Sequence, residues 1–331
     1  MRRLLALFVI GLTTLANAQS LEADKKVEIL NKIKDNLTNL AFVPGIDFDK
    51  WDQFVEARKD EIDKVDDKRR FVFLINRTLR EFGVSHISIS FAKAGAASQA
   101  FAFQQPETPR LQRQEAPFVE LTWLDDKTAH LRLRTFSDGY KAKEMDQKFE
   151  EISTKAENLI IDLRGNGGGA VSNLQHFMSH LLPPRTELGT MVSKRTAKAF
   201  ADATKGDATN GAEIAKWTDR KFRTSPLKAE PYKGKIAVLI SRSSASASEI
   251  CAAALSEQVK APLIGSRSAG AVLVSRIVKL PEGLEMKVPI SDFYTSKLRR
   301  LEGNPLQPDY EVSTRDTEAC VTKAIEALKG D

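Results

Sequence analysis

Between Ile236 and Ile250 the chain reads Ile-Ala-Val-Leu-Ile-Ser-Arg-Ser-Ser-Ala-Ser-Ala-Ser-Glu-Ile, an apolar strand that runs into a serine-crowded turn and then a helix. Such a turn can aim a serine hydroxyl at a helix N-terminus, where unpaired N–H groups and the positive end of the dipole favour an oxyanion. The same letters spell a capping box, with Ser246 at the N-cap and Glu249 three residues on. Local sequence leaves both readings open, nucleophile and plain helix start. A nucleophilic serine needs a base, and the base needs an orienting partner.

A second stretch with chemical potential is Leu159-Ile160-Ile161-Asp162-Leu163-Arg164-Gly165-Asn166-Gly167-Gly168-Gly169, a buried strand ending in four glycines around one asparagine. Glycines there let the backbone take positive φ, approach a ligand closely and present N–H groups to an anion. A phosphate loop is one reading, although the Gly-Lys-Ser/Thr ending of a nucleotide loop is missing and Gly-x-Gly-x-x-Gly is met only imperfectly. A tight strand-to-helix turn is the other. On the following helix His176 and His180 stand four apart and share a face. Zinc peptidases place glutamate directly after the first histidine of such a pair and add a third ligand; Phe177 fills that place, so no metal site is expected.

The elements that must position these groups alternate in period. Apolar residues at Val27, Leu30, Ile33, Leu37 and Leu40, and again from Phe71 to Phe82, predict a small helical bundle over residues 19–92, interrupted at Pro44-Gly45. It ends in a strand where Ile87, Ile89 and Phe91 share one face, just after Gly83-Val84-Ser85-His86. Residues 93–116, rich in Ala, Gln, Pro and Arg, predict a linker or mobile loop. Strands at 118–123, 129–133, 159–163, 236–240, near 263, 273–280 and 284–288 then alternate with helices at 141–156, 171–182, 247–258 and 316–328. This predicts an α/β core over residues 117–331.

Arg2-Arg3, an apolar run to Leu15 and Ala16-Asn17-Ala18 form the pattern of a secretory signal over residues 1–18. The expected product is exported, periplasmic or secreted. Losing that segment takes the formal net charge from +6 to +4, because it holds two arginines and no acid. With no Lys/Arg block, nucleic acid is not an expected partner. No later apolar run nears the roughly 18 residues of a membrane helix, and no cysteine follows the cleavage point, so no membrane anchor is expected. Cys251 and Cys320 either pair in an oxidising compartment or serve as small buried residues. No motif speaks to oligomeric state.

Taken together, Ile161 to Gly169, Ser244-Ala245-Ser246-Ala247-Ser248-Glu249-Ile250 and Leu263-Ile264-Gly265-Ser266-Arg267-Ser268-Ala269-Gly270 resemble the tail-specific (C-terminal processing) protease family. The resemblance implies a crotonase or Clp-protease-like core, Ser246 as nucleophile, and Gly168 and Ala247 as oxyanion donors. It also implies a polypeptide substrate and no cofactor. Processing proteases of this family carry a lysine base 25 residues after the nucleophile; that position here is Ala271. The stretch between His86 and the core is too short for a PDZ module. The chain is closer to the lysine-less branch that includes tricorn protease and the chlamydial protease-like activity factor. There the base is a histidine from the N-terminal region and its partner a glutamate near a Pro-Asp motif, which His86 and Glu302 match, with Ser85 in the relay. An imidazole near neutral pKa suits a serine at physiological pH. Two further readings remain on the same scaffold: a non-catalytic binder of apolar ligands, and an esterase using the same triad.

Overall fold

The computed structural model describes residues 21–92 and 117–329. The expected signal segment, 1–18, and linker, 93–116, lie outside them. The chain begins with helices α1 (Ala23–Leu40), α2 (Trp51–Glu56), α3 (Lys59–Lys64) and α4 (Lys68–Leu79), then strand β1 (Ser88–Phe91). Next come β2 (Val119–Trp123), β3 (Thr128–Leu133), α5 (Ala142–Lys155), β4 (Asn158–Asp162) and α6 (Val171–Ser179). A stretch where no period stands out holds β5 (Glu187–Ser193), α7 (Lys194–Thr204), α8 (Gly211–Trp217) and β6 (Lys221–Arg223). The remainder is β7 (Lys235–Ile240), α9 (Ala247–Val259), β8 (Leu263–Gly265), β9 (Leu273–Leu280), β10 (Leu284–Thr295), β11 (Tyr310–Glu311) and α10 (Thr317–Lys329). The chain divides into two units. The first falls within Met1–Phe42, Ile46–Phe101 and Ser275–Ile290, the second within Val43–Gly45, Ala102–Val274 and Ser291–Asp331.

In the first unit, Ile29, Ile33 and Leu37 of α1 and Phe71, Leu74, Ile75 and Leu79 of α4 are buried, the spacing of helices with one apolar face. Asp67 caps α4 by accepting the Arg70 N–H at 2.8 Å. Gly83, at φ 67°, ends the short 3₁₀ turn that follows α4. The chain then enters β1, which Asn76 brackets: its amide donates to the Ile89 carbonyl at 2.9 Å and its oxygen accepts the Ile89 N–H at 2.8 Å. β1 pairs antiparallel with residues 284–287 of β10. Ser85 and His86 are therefore held between a helix end and a paired strand.

The second unit is built on a six-stranded sheet in the order β11-β8-β7-β4-β3-β2, parallel except for the β2–β3 hairpin. β4 and β7 are continuous apolar runs because both faces are covered. Leu159, Ile161, Val238 and Ile240 join the core with residues of α5, α6 and α9, while Ile160, Ala237 and Leu239 join a second cluster with α10. β5, β6 and residues 291–295 of β10 form antiparallel pairs in the same unit. Both thiols are free and buried, Cys251 in the larger cluster and Cys320 in the smaller, so the second reading of the cysteines holds. No helix among the described residues is long and apolar enough to cross a membrane.

Candidate active site

β7 delivers the chain to Ser241, and α9 begins at Ala247. Two serines of the intervening turn and first helical turn are committed to structure. Ser244 Oγ accepts the Ser241 N–H at 2.9 Å and donates to the Leu163 carbonyl at 2.8 Å; Ser248 Oγ donates to the Asn166 carbonyl at 2.9 Å. Ser246 differs. It stands in capping-box arrangement with Glu249, and its backbone sits at φ 58°, ψ −119°. That region costs a non-glycine residue on the order of 1–3 kcal/mol and persists only where surroundings enforce it.

The glycine turn packs directly against this serine. β4 ends at fully buried Asp162, whose carboxylate accepts the Arg164 N–H (2.9 Å), Nε (2.9 Å) and Nη2 (2.7 Å). Burial alone would raise this carboxyl, but His130 and Arg164 hold it well below the usual carboxylate range. Asn166 is also fully buried: its amide donates to the Leu133 carbonyl at 3.0 Å and its own carbonyl accepts the Ala245 N–H at 3.1 Å. Gly168 has φ 90°, and a Cβ there would lie 2.7 Å from the Ala245 oxygen, 2.8 Å from Ser246 Cβ and 2.9 Å from the Ala247 nitrogen. Only glycine lets the two turns meet. The Gly168 N–H itself donates to Asn166 Oδ1 at 2.9 Å.

Ser246 is further fixed by the loop from Ser268 to Val272. Its N–H donates to the Ala271 carbonyl at 2.9 Å and to Glu249 Oε2 at 3.2 Å. Glu249, fully buried, also accepts the Gly270 N–H at 2.8 Å, the Ala271 N–H at 2.9 Å and the Ser268 hydroxyl. Burial pushes its carboxyl up from the ordinary value, and these hydrogen bonds partly offset the push. Ser268 Oγ in turn accepts the Leu306 N–H at 2.7 Å, and the Gly303 N–H donates to the Gly270 carbonyl at 2.8 Å. The loop carrying Glu302 is thus zipped onto the loop carrying Ala271. Glu302 is buried and accepts the Val272 N–H at 2.8 Å.

In the first unit, Ser85 Oγ lies 2.7 Å from His86 Nδ1, and His86 has φ 57°. Burial, followed by the nearby Lys287 ammonium, lowers the imidazole pKa from 6.5 to about 4. Ser246, Ala247 and Gly168 therefore lie together in the second unit, with Glu302 one loop away, and Ser85 and His86 lie together in the first. Two organising residues carried no role in the sequence reading, Asn166 and Ser268. A third, Glu249, was visible only as the acid of a capping box.

The sequence pattern of peptidase family S41 matches residues 127–312. The chain is 26% identical over 207 residues to carboxyl-terminal-processing peptidase 3, chloroplastic, of Arabidopsis thaliana, covering 61% of this chain and 35% of that protein. It is 30% identical over 162 residues to the nisin-resistance protein of Lactococcus lactis subsp. lactis, covering 49% of this chain and 48% of that protein. The chain thus spans about a third to a half of the length of these curated relatives. Among solved structures, the photosystem II D1 C-terminal processing protease superposes with a TM-score of 0.54 at 14% identity, covering 94% of this chain and 98% of that one. At that identity the likeness is one of fold.

Proposed function

The chain belongs to peptidase family S41, and from that premise we propose that it is a serine peptidase cleaving polypeptides by acyl transfer. Ser246 Oγ attacks the peptide carbonyl while His86 takes the proton at Nε2 and later returns it to the leaving amine. Ser85, 2.7 Å from His86 Nδ1, fixes the ring, and Glu302 stabilises the imidazolium. The Ala247 N–H, first of α9, receives the oxyanion together with the Gly168 N–H. Gly168 can contribute only by sharing its bond to Asn166, so Ala247 carries the larger part. Ala271 occupies the place of a lysine base, which is why the base is assigned to a histidine. The reading rests above all on the strained backbone of Ser246 with Gly168 packed against it. Export is part of the same proposal, on the signal pattern of residues 1–18.

The pH profile tests the assignment of the base. A general base must be neutral and must come within hydrogen-bond reach of the proton it takes. With its pKa near 4, His86 stays neutral throughout the ordinary range. The acid limb of kcat/KM for casein hydrolysis is therefore expected near pH 4, and Lys287→Met should move it upward. An acid limb that stays in place when His86 is replaced by alanine would refute His86 as base. The same shift bears on stability. As pH falls from 6.5 to 4 the unfolded chain takes up the proton before the folded one, so the contribution of neutral His86 is complete above 6.5 and eroded across that window.

A further inference from the structure

We propose that Asp146, His176 and His180 form a binding site for a divalent transition-metal ion of the zinc class, separate from the serine chemistry. Asp146 belongs to α5, His176 to α6, and His180 caps the C-terminal end of α6. One helical turn sets the two imidazoles on the same face, and α5 supplies the carboxylate that the local sequence lacks. Asp146 Oδ1 lies 3.0 Å from His176 Nε2 and 2.9 Å from His180 Nε2, and all three candidate ligand atoms lie within 4.8 Å of one another. Zinc bonds of about 2.0 Å in a tetrahedron need ligand atoms about 3.3 Å apart, so small side-chain adjustments admit the ion.

The surroundings suit a ligand set. The Tyr140 hydroxyl is 2.8 Å from His176 Nδ1, the outer partner that directs Nε2 toward an ion and fixes the tautomer. Phe149 stacks on His180 with ring centroids 4.5 Å apart, holding that ring in place. The three groups line a cavity of about 610 Å³ that also takes in Glu150 and Glu230. Water or a substrate group can therefore complete the coordination. Two imidazoles and one carboxylate suit zinc, nickel or copper over calcium and magnesium, which prefer oxygen ligands. An ion there would tie α5 to α6, the helix that starts just after the glycine turn.

The test uses the full chain, purified without a histidine tag, stripped with chelator and titrated with zinc chloride against a chromophoric competitor. One equivalent should bind, and zinc should raise the thermal midpoint of the chain. His176→Gln and Asp146→Asn, both at solvent-accessible side chains, should each weaken binding by at least about tenfold while keeping the far-ultraviolet circular dichroism of the parent. Cobalt should give a visible ligand-field spectrum that Asp146→Asn removes. Binding below one equivalent, or equal affinity in the parent and both variants, would overturn the proposal. Hydrolysis by Ser246 is not the readout, so the outcome stands apart from the peptidase assignment.

Discussion

Alanine at position 246 is expected to cut hydrolysis of a disordered polypeptide by about 10⁵-fold, the scale seen when a serine nucleophile is removed, while leaving the fold intact. The second half of that expectation follows from geometry. α9 starts through backbone bonds and through Glu249, and Ser246 contributes the serine of its capping box. Alanine accepts the same positive φ at much the same strain, so the loss is that of a helix cap, about 0.5–2 kcal/mol, short of unfolding the chain. Ser248→Ala gives the opposite pattern. Its hydroxyl is buried and donates to the Asn166 carbonyl at 2.9 Å, so its loss should cost roughly 1–3 kcal/mol and leave the nucleophile in place. Casein degradation and urea denaturation on the two variants separate nucleophile from helix start. A Ser246→Ala chain that still hydrolyses casein at the parent rate would remove the serine from the mechanism.

Glu249→Gln is expected to produce the largest loss of stability of any isosteric change near the site. The two carboxylate oxygens divide four donors between them: Ser268 Oγ and the Gly270 N–H at Oε1, the Ser246 and Ala271 N–H groups at Oε2. A glutamine turns one oxygen into an amide nitrogen, so a backbone donor, Gly270 N–H or Ala271 N–H, would face a donor inside a fully buried pocket and a second bond would be lost. An unsatisfied buried donor costs about 1–3 kcal/mol and a lost hydrogen bond about 1 kcal/mol, which sums to about 2–4 kcal/mol and a fall in thermal midpoint on the order of 10 °C. Turnover should fall as well, since the bonds lost include those that hold the Ser246 backbone and the loop facing Glu302. Ser268→Ala, which removes one donor, should cost clearly less. A Glu249→Gln chain within about 0.5 kcal/mol of the parent in urea denaturation would show that the clamp does not hold the site; typical neutral surface changes fall in that range.

Period and turn chemistry carry most of the alternation. The apolar runs at 159–163 and 236–240 mark a sheet covered on both faces, and α4 was legible from Phe71 to Phe82 as a periodic face. The stretch from Glu187 to Arg223 was not. β5 reads Glu-Leu-Gly-Thr-Met-Val-Ser, with a glycine whose Cβ would meet Phe293 and Tyr294, and α7 buries only Thr196, Ala197 and Phe200. Elements that bury so few large apolar groups leave a weak periodic trace. β10 was read only to Val288; beyond Pro289 the strand continues to Thr295 by pairing residues 291–295 with β5. That pairing is set by contacts distant in sequence. The serine and glycine turns were legible as turns because strand-turn-helix spacing is local, and Ser85-His86 as the residues that lead into a strand. The joining of Glu249 to Ser268, and of Asp146 to His176 and His180, was not, because each rests on side chains from separate segments.

The central claim is that Ser246 is a nucleophile activated by His86, and covalent labelling tests it most directly. The folded chain is treated with a fluorophosphonate, the adduct is mapped by peptide mass spectrometry, and the rate is compared with that of His86→Ala. The account predicts a single adduct on Ser246, formed at least about 100-fold more slowly without the imidazole. A folded chain in which Ser246 stays unlabelled, or labels equally fast after His86→Ala, would contradict it.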